Sequence, residues 1–123
     1  MQETLDEVRE RFSQDRFATV NGAVIEAVDE GYAKCSMKLN DTHRNALGAV
    51  MGGAIFTLAD FAFAVASNWN KDPRVSLTAS ISFLGRAKGN KLIAEASKIR
   101  EGRKTCYYEI VVSDELGSQV AHM

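Results

Sequence analysis

The chain has 123 residues, 46% of them hydrophobic and 25% charged, with a formal net charge of −1. That composition suits one globular domain able to bury a single core, and the near-zero charge gives no overall drive toward nucleic acid or an anionic membrane. The opening MQETLDEVRERF is acidic and amphipathic, without an apolar signal-peptide core, and Cys35 and Cys106 lie far apart with no metal-ligand spacing. The expectation is a cytoplasmic protein with two buried thiols and no metal, folded as one domain over 1–123 with an N-terminal helical segment at 1–16.

Residues 4–15 read as a short helix: Thr4 followed by Glu7 makes a capping box, and Leu5, Val8 and Phe12 share a face. Such a helix serves as a lid or as cover for a sheet edge, and cover is the preferred reading. Residues 20–28, rich in Val, Ile and Ala, read as a strand ended by the turn Asp29-Glu30-Gly31. Ala33, Cys35, Met37 and Leu39 then alternate with polar neighbours, which gives a strand with one buried face and Cys35 a packing role. NDTHRNALGAV, residues 40–50, is a polar loop; within it His43 and Asn45, taken alone, read as turn residues.

The run MGGAIFTLADFAFAVAS, residues 51–67, carries only Thr57, Asp60 and Ser67 as polar interruptions and has no proline. A helix apolar on nearly every side is enclosed by other structure, and this one is too short to cross a bilayer. After an exit loop at 68–73 with the only proline, residues 75–83 alternate Val, Leu, Ala, Ile and Phe with Ser and Thr, the cleanest strand pattern in the chain. Further strands follow at 91–100, at 105–112 with Cys106, Tyr108, Ile110 and Val112 on one face, and at 119–123, where the last strand stops abruptly, as a truncation would. Turns fall at 85–90, 101–103 and 113–117. The order implies α+β, with one antiparallel sheet curled around the central helix.

Asp60 is the unusual residue. A carboxylate within an apolar helix is costly unless hydrogen bonds or a partner charge offset its desolvation, and desolvation raises its pKa toward the range of a general base. It reads either as a catalytic group or as a structural acid bonded to a neighbouring loop. Gly52 and Gly53 open the same helix, where free N–H groups suit an oxyanion or a polarised carbonyl, although two glycines also serve close helix–sheet packing. From Gly53 to Asp60 the helix rises about 10.5 Å, too far for both groups to reach one reacting carbonyl. Two antiparallel helices from two subunits bring the start of one beside the middle of the other, so a joint role predicts a dimer with two composite sites.

The stretch NALGAVMGGAIFTLAD, residues 45–60, resembles the hotdog-fold acyl-CoA thioesterases of the PaaI-like, phenylacetate-degradation group, and SISFLGRAKGNKLIAEASKIREGRKTCYYEIVVSDELGSQVA resembles that group's later strands. The resemblance covers roughly residues 16–123. It implies a hotdog fold, a curved antiparallel sheet wrapped around a long central helix. It also implies a homodimer that pairs into a dimer of dimers, and hydrolysis of acyl-CoA with no cofactor beyond the CoA of the substrate. Carried over by position, Asp60 is the base or nucleophile and the Gly52 N–H polarises the thioester carbonyl. Asn45 orients substrate or water, and Ser76 is a weaker match to a serine that assists the water. Gly53 and Met51 stand at the substrate, with Met51 where many members have His. Apart from the resemblance, Arg86 and Lys88, with Arg100, Arg103 and Lys104 at the next hairpin, sit at turns where they could meet coenzyme phosphates, solvated turn charge being the alternative and commoner reading of each. Met51 also favours a different class, a non-catalytic acyl-CoA-binding module. A hotdog hydratase pairs a His with an acid, and the helix region offers no such His.

Overall fold

The structure, a computed structural model, describes residues 3–69 and 74–123; the expected exit loop therefore falls in part, with its proline, outside the described residues. Helix α1 spans Leu5–Phe12, and its capping box forms as expected: the Thr4 hydroxyl accepts from the Glu7 N–H and the Glu7 carboxylate from the Thr4 N–H, both at 3.2 Å. A second helix, α2 at Arg16–Val20, stands where the sequence suggests the start of a strand. The strand begins only at Ala23, because Gly22, at φ 105°, turns the chain in a conformation that side chains disfavour. Val20 ends α2 in solvent, its β-branched preference overridden by that turn.

Among the described residues six antiparallel strands form: β1 Ala23–Asp29, β2 Tyr32–Lys38, β3 Ser82–Phe83, β4 Lys91–Glu101, β5 Cys106–Asp114 and β6 Gln119–His122, in the spatial order β1-β2-β4-β5-β6-β3. The long helix α3, Gly52–Asn68, lies across one face of this sheet. Period-two alternation turns Ala33, Cys35 and Met37 of β2, Leu92, Ala94 and Ala96 of β4, and Ile110 and Val112 of β5 into the core. There they form one cluster with Ile55, Leu58, Ala59, Ala62, Val65 and Ala66 of α3. The alanines on both sides let the helix sit close to the sheet. Bulges at Ile25/Ala27, Lys98/Arg100 and Val112/Ser113 interrupt the ladders, and such insertions bend a sheet.

Edge strand β1 is covered by α1, in line with the preferred reading. Arg9 donates from Nε (3.0 Å) and Nη2 (2.8 Å) to the carbonyl of Ile25, at the bulge. Phe12 meets Phe61 of α3 edge to face, with ring centroids 6.2 Å apart. Among the described residues no helix is long and apolar enough to cross a membrane.

The strand expected over 75–83 is corrected. Among the described residues only Ser82 and Phe83 of that stretch pair, with His122 and Ala121 of β6. Val75 and Leu77 are 90% and 82% exposed, and residues 75–80 make no hydrogen bond among the described residues. Alternation describes what a strand would present on its two faces, but a ladder also needs a neighbour, and among the described residues nothing pairs with 75–80.

Candidate active site

The loop before α3 is pinned at both ends. Arg44 and Val50 bridge, and the Met51 N–H donates to the His43 carbonyl at 2.8 Å. His43 is 2% exposed and uses both ring nitrogens: Nδ1 accepts from the Asn40 N–H (3.1 Å) and Nε2 donates to the Asn21 carbonyl (2.5 Å). It is a structural histidine tying this loop to the end of α2. Asn45 Oδ1 accepts from the N–H groups of Leu47 (2.9 Å) and Ala49 (3.1 Å), which closes a tight Asx turn around Gly48 at φ 80°. The turn reading of both residues is correct. Asn45 is exposed, with its side-chain amide N–H groups still to be bonded among the described residues.

Met51 is the residue before the first turn of α3; its side chain is 47% exposed, and its carbonyl accepts from the N–H groups of Ala54 (3.0 Å) and Ile55 (3.2 Å). The N–H groups of Gly52 and Gly53 have no acceptor among the described residues, as the first turn of a helix dictates. The two glycines differ. A Cβ at Gly52 would stand 3.1 Å from the ring of Phe83, whereas at Gly53 it would meet nothing within 4 Å. Tight packing within the protomer explains Gly52 and leaves Gly53 facing open space.

Seven residues separate Gly53 from Asp60, close to two full helical turns, so both lie on one face of α3. Phe56, Thr57, Phe63 and Ala64 share that face, and all are only partly buried. Asp60 is half-buried and has no hydrogen bond or ion pair among the described residues. Desolvation, and after it the negative charge of Asp15, raise its pKa above the ordinary 3.8. Asp15 is itself raised by burial, with Arg11 working against that. The acid is therefore not the structural kind that a loop hydrogen bond would satisfy. The contribution of Asp15 was not legible in the sequence, because only the fold brings α2 onto α3.

The remaining candidates sit elsewhere. Ser76 is exposed in the segment before β3, and Arg86 and Lys88 are exposed on the loop before β4; none of the three bonds to α3. That loop is held from below by Asp114, a buried carboxylate the sequence reading passed over as one residue of a turn. Its oxygens accept from the N–H groups of Lys88 (2.7 Å), Gly89 (2.9 Å), Leu116 (3.0 Å) and Ser118 (2.8 Å). Burial opposes its charge, but the backbone bonds from Ser118, Lys88 and Gly89 outweigh it and lower the pKa to about 2. Glu115 likewise accepts from the N–H groups of Asn90 (2.8 Å) and Lys91 (3.1 Å). Arg86 and Lys88 thus project from a fixed turn.

A curved antiparallel sheet around a central helix, with glycine amides and a half-buried acid on the free face of that helix, defines a protein of the hotdog class. The family described as a domain of unknown function (DUF4442) matches residues 12–123. A protein of Archaeoglobus fulgidus is 36% identical over 111 residues, 89% of this chain and 72% of that protein. The acyl-coenzyme A thioesterase PaaI of Escherichia coli is 32% identical over 111 residues, 89% of this chain and 79% of its own length. The solved structure of the E. coli PaaI protein, from the phenylacetic acid degradation operon, superposes with a TM-score of 0.83 at 27% identity, covering 97% of this chain and 91% of that one. A Streptococcus mutans protein solved bound to acetyl CoA superposes with a TM-score of 0.77 at 25% identity, with 82% of each chain covered. The chain belongs to the PaaI-like hotdog thioesterase family.

Proposed function

We propose that this protein hydrolyses acyl-CoA thioesters to a free carboxylic acid and CoA, at two sites shared between the subunits of a homodimer. The observation that carries the reading is the free face of α3. It presents unbonded amides at Gly52 and Gly53 and, seven residues on, a half-buried acid without a partner among the described residues. The E. coli relative acts on acyl-coenzyme A, and the S. mutans neighbour binds acetyl CoA.

In the proposed site the Gly52 N–H, at the positive end of the helix dipole, stabilises the oxyanion that forms when the thioester carbonyl is attacked. Asp60 of the other subunit takes a proton from the attacking water, or attacks the carbonyl itself to form a mixed anhydride that water then hydrolyses, releasing the acid and restoring the carboxylate. Its raised pKa makes it a stronger base than an exposed carboxylate. The carbonyl then reforms, the C–S bond breaks, and CoA leaves as a thiolate that is protonated from solvent. Asn45 offers its amide N–H groups to substrate or water, Ser76 assists the water, and Arg86 and Lys88 meet phosphates of the coenzyme. Gly53, with open space where a Cβ would be, admits the thioester close to the backbone.

Met51 favours a second reading, a module that binds acyl-CoA without cleaving it, since a thioether gives no proton or hydrogen bond of the kind an imidazole gives. Incubation with short, medium, long and aryl acyl-CoAs, following thiol release, separates the two. Turnover supports hydrolysis; saturable binding with no thiol released supports the module.

A further inference from the structure

The proposed hydrolysis gives no part to Phe83 of strand β3. That side chain is 55% exposed and stands apart from the core cluster, yet its backbone is held on both sides. Ser82 and Phe83 pair with His122 and Ala121 of β6, and the next two N–H groups, of Leu84 and Gly85, donate to the Val120 carbonyl at 2.8 and 3.2 Å.

The ring meets α3 at Gly52. A Cβ built there would stand 3.1 Å from Phe83 Cζ, 3.3 Å from Cε1 and 3.7 Å from Cε2. All three are atoms of the ring tip, so the ring approaches the helix end-on. In a helix the Cα–Cβ direction leans toward the N-terminus, the end to which the first-turn N–H groups also point. The tip therefore stands at the mouth of α3, beside the Gly52 N–H, which has no acceptor among the described residues. At Gly53 the same position meets nothing within 4 Å, so the ring flanks one of the two amides and leaves the other open.

Such a contact matters for a thioester carbonyl placed at that amide. A donor stabilises an oxyanion only where it is held in place, and a misplacement of about 1 Å costs on the order of a hundredfold in rate. Gly52 has no side chain to hold it, and no side chain caps α3, since Met51 stands at the capping position. A ring carried on a paired strand is the brace on this turn. It also keeps water from one flank of the amide, and a drier donor acts more strongly on developing charge.

We infer that Phe83 is a positioning residue for the hydrolysis, its ring tip bracing the uncapped first turn of α3 and screening the Gly52 amide. The inference rests on the hydrolytic reading and deepens it on the oxyanion side.

The test compares the unsubstituted protein with Phe83→Leu and Phe83→Met, which keep an apolar side chain and remove the rigid tip. Thiol release is followed below the Tm of each, with folding checked by circular dichroism. On the acyl-CoA that the unsubstituted protein turns over fastest, kcat should fall at least about tenfold and KM stay within about twofold, because the oxyanion exists only in the transition state. The pH limb of kcat/KM should stay where it is, since Asp60 is untouched. Gly52→Ala combined with Phe83→Leu should have a higher Tm than Gly52→Ala alone, the methyl taking the vacated space. Its kcat should be no lower than that of Gly52→Ala alone, because both changes act on one amide. Unchanged kcat in the folded variants would overturn the inference. So would a raised KM at constant kcat, which assigns the ring to substrate binding, a moved pH limb, which assigns it to Asp60, or kcat losses that add in full to those of Gly52→Ala. No thiol release from the unsubstituted protein would instead overturn the hydrolytic reading, and this inference with it.

Discussion

Asp60 and Asp114 are two carboxylates whose surroundings push them in opposite directions, and the sign of each shift carries a prediction. Desolvation and Asp15 raise Asp60, so its ionised form is disfavoured in the fold. Asp60→Asn should then stabilise the protein at neutral pH, measured as a higher Tm. The gain should fade as the pH falls through the raised folded pKa, and vanish below the ordinary value of 3.8. The same substitution should cut kcat by about a thousandfold, the scale of general-base catalysis, and in the unsubstituted protein kcat/KM should rise with pH along a limb set above 3.8. Asp114, lowered to about 2, behaves inversely. Its stabilisation is present above the ordinary pKa of 3.8 and lost as the pH falls toward 2. Asp114→Asn should lower Tm at pH 7 and leave the difference small near pH 2, because the amide keeps one acceptor oxygen where the carboxylate offers two to four N–H groups.

At the scale of elements, the two glycines that open α3 separate packing from function. Gly52→Ala should lower Tm, since the added methyl stands 3.1 Å from the Phe83 ring. Gly53→Ala meets open space and improves helix propensity by up to about 1 kcal/mol, so Tm should hold or rise while thioester hydrolysis falls at least tenfold. Loss of Tm without loss of turnover at Gly53 would return that residue to packing. How much of an element was legible depended on how local its causes are. The capping box of α1 and the alternation of β2 and β5 could be read directly, because residues three apart or two apart decide them. The start of β1 could not, since the left-handed φ of Gly22 sets it and Val20 argued for a strand. The segment at 75–80 had the clearest pattern and pairs with nothing among the described residues, because pairing depends on a neighbour that the alternation does not specify. The candidate site could be put forward from the sequence at Gly52, Gly53 and Asp60 because one helix carries all three. Asp114 was not, since its N–H donors at Lys88 and Gly89 lie more than twenty residues away along the chain.

For the whole molecule, the decisive fact is that α3 leaves an apolar face partly uncovered. Phe56, Phe63 and Ala64 flank Asp60 there, and apolar surface beside a desolvated acid favours a second helix over water. In the proposed dimer a two-fold axis across this face would place Gly53 of one subunit beside Asp60 of the other, an approach that the rise of about 10.5 Å along one helix forbids within a protomer. Ala64→Arg should therefore give a folded monomer by analytical ultracentrifugation, with hydrolysis lost because both sites are incomplete. Complementation gives the sharper test. Asp60→Asn and Gly53→Trp should each be inactive as homodimers. After unfolding, mixing in equal amounts and refolding, half of the dimers carry one of each chain. In those, the unaltered Gly53 of the first variant meets the unaltered Asp60 of the second at one of the two sites. Activity should return to about a quarter of the unsubstituted level, whereas sites built within single protomers would return none.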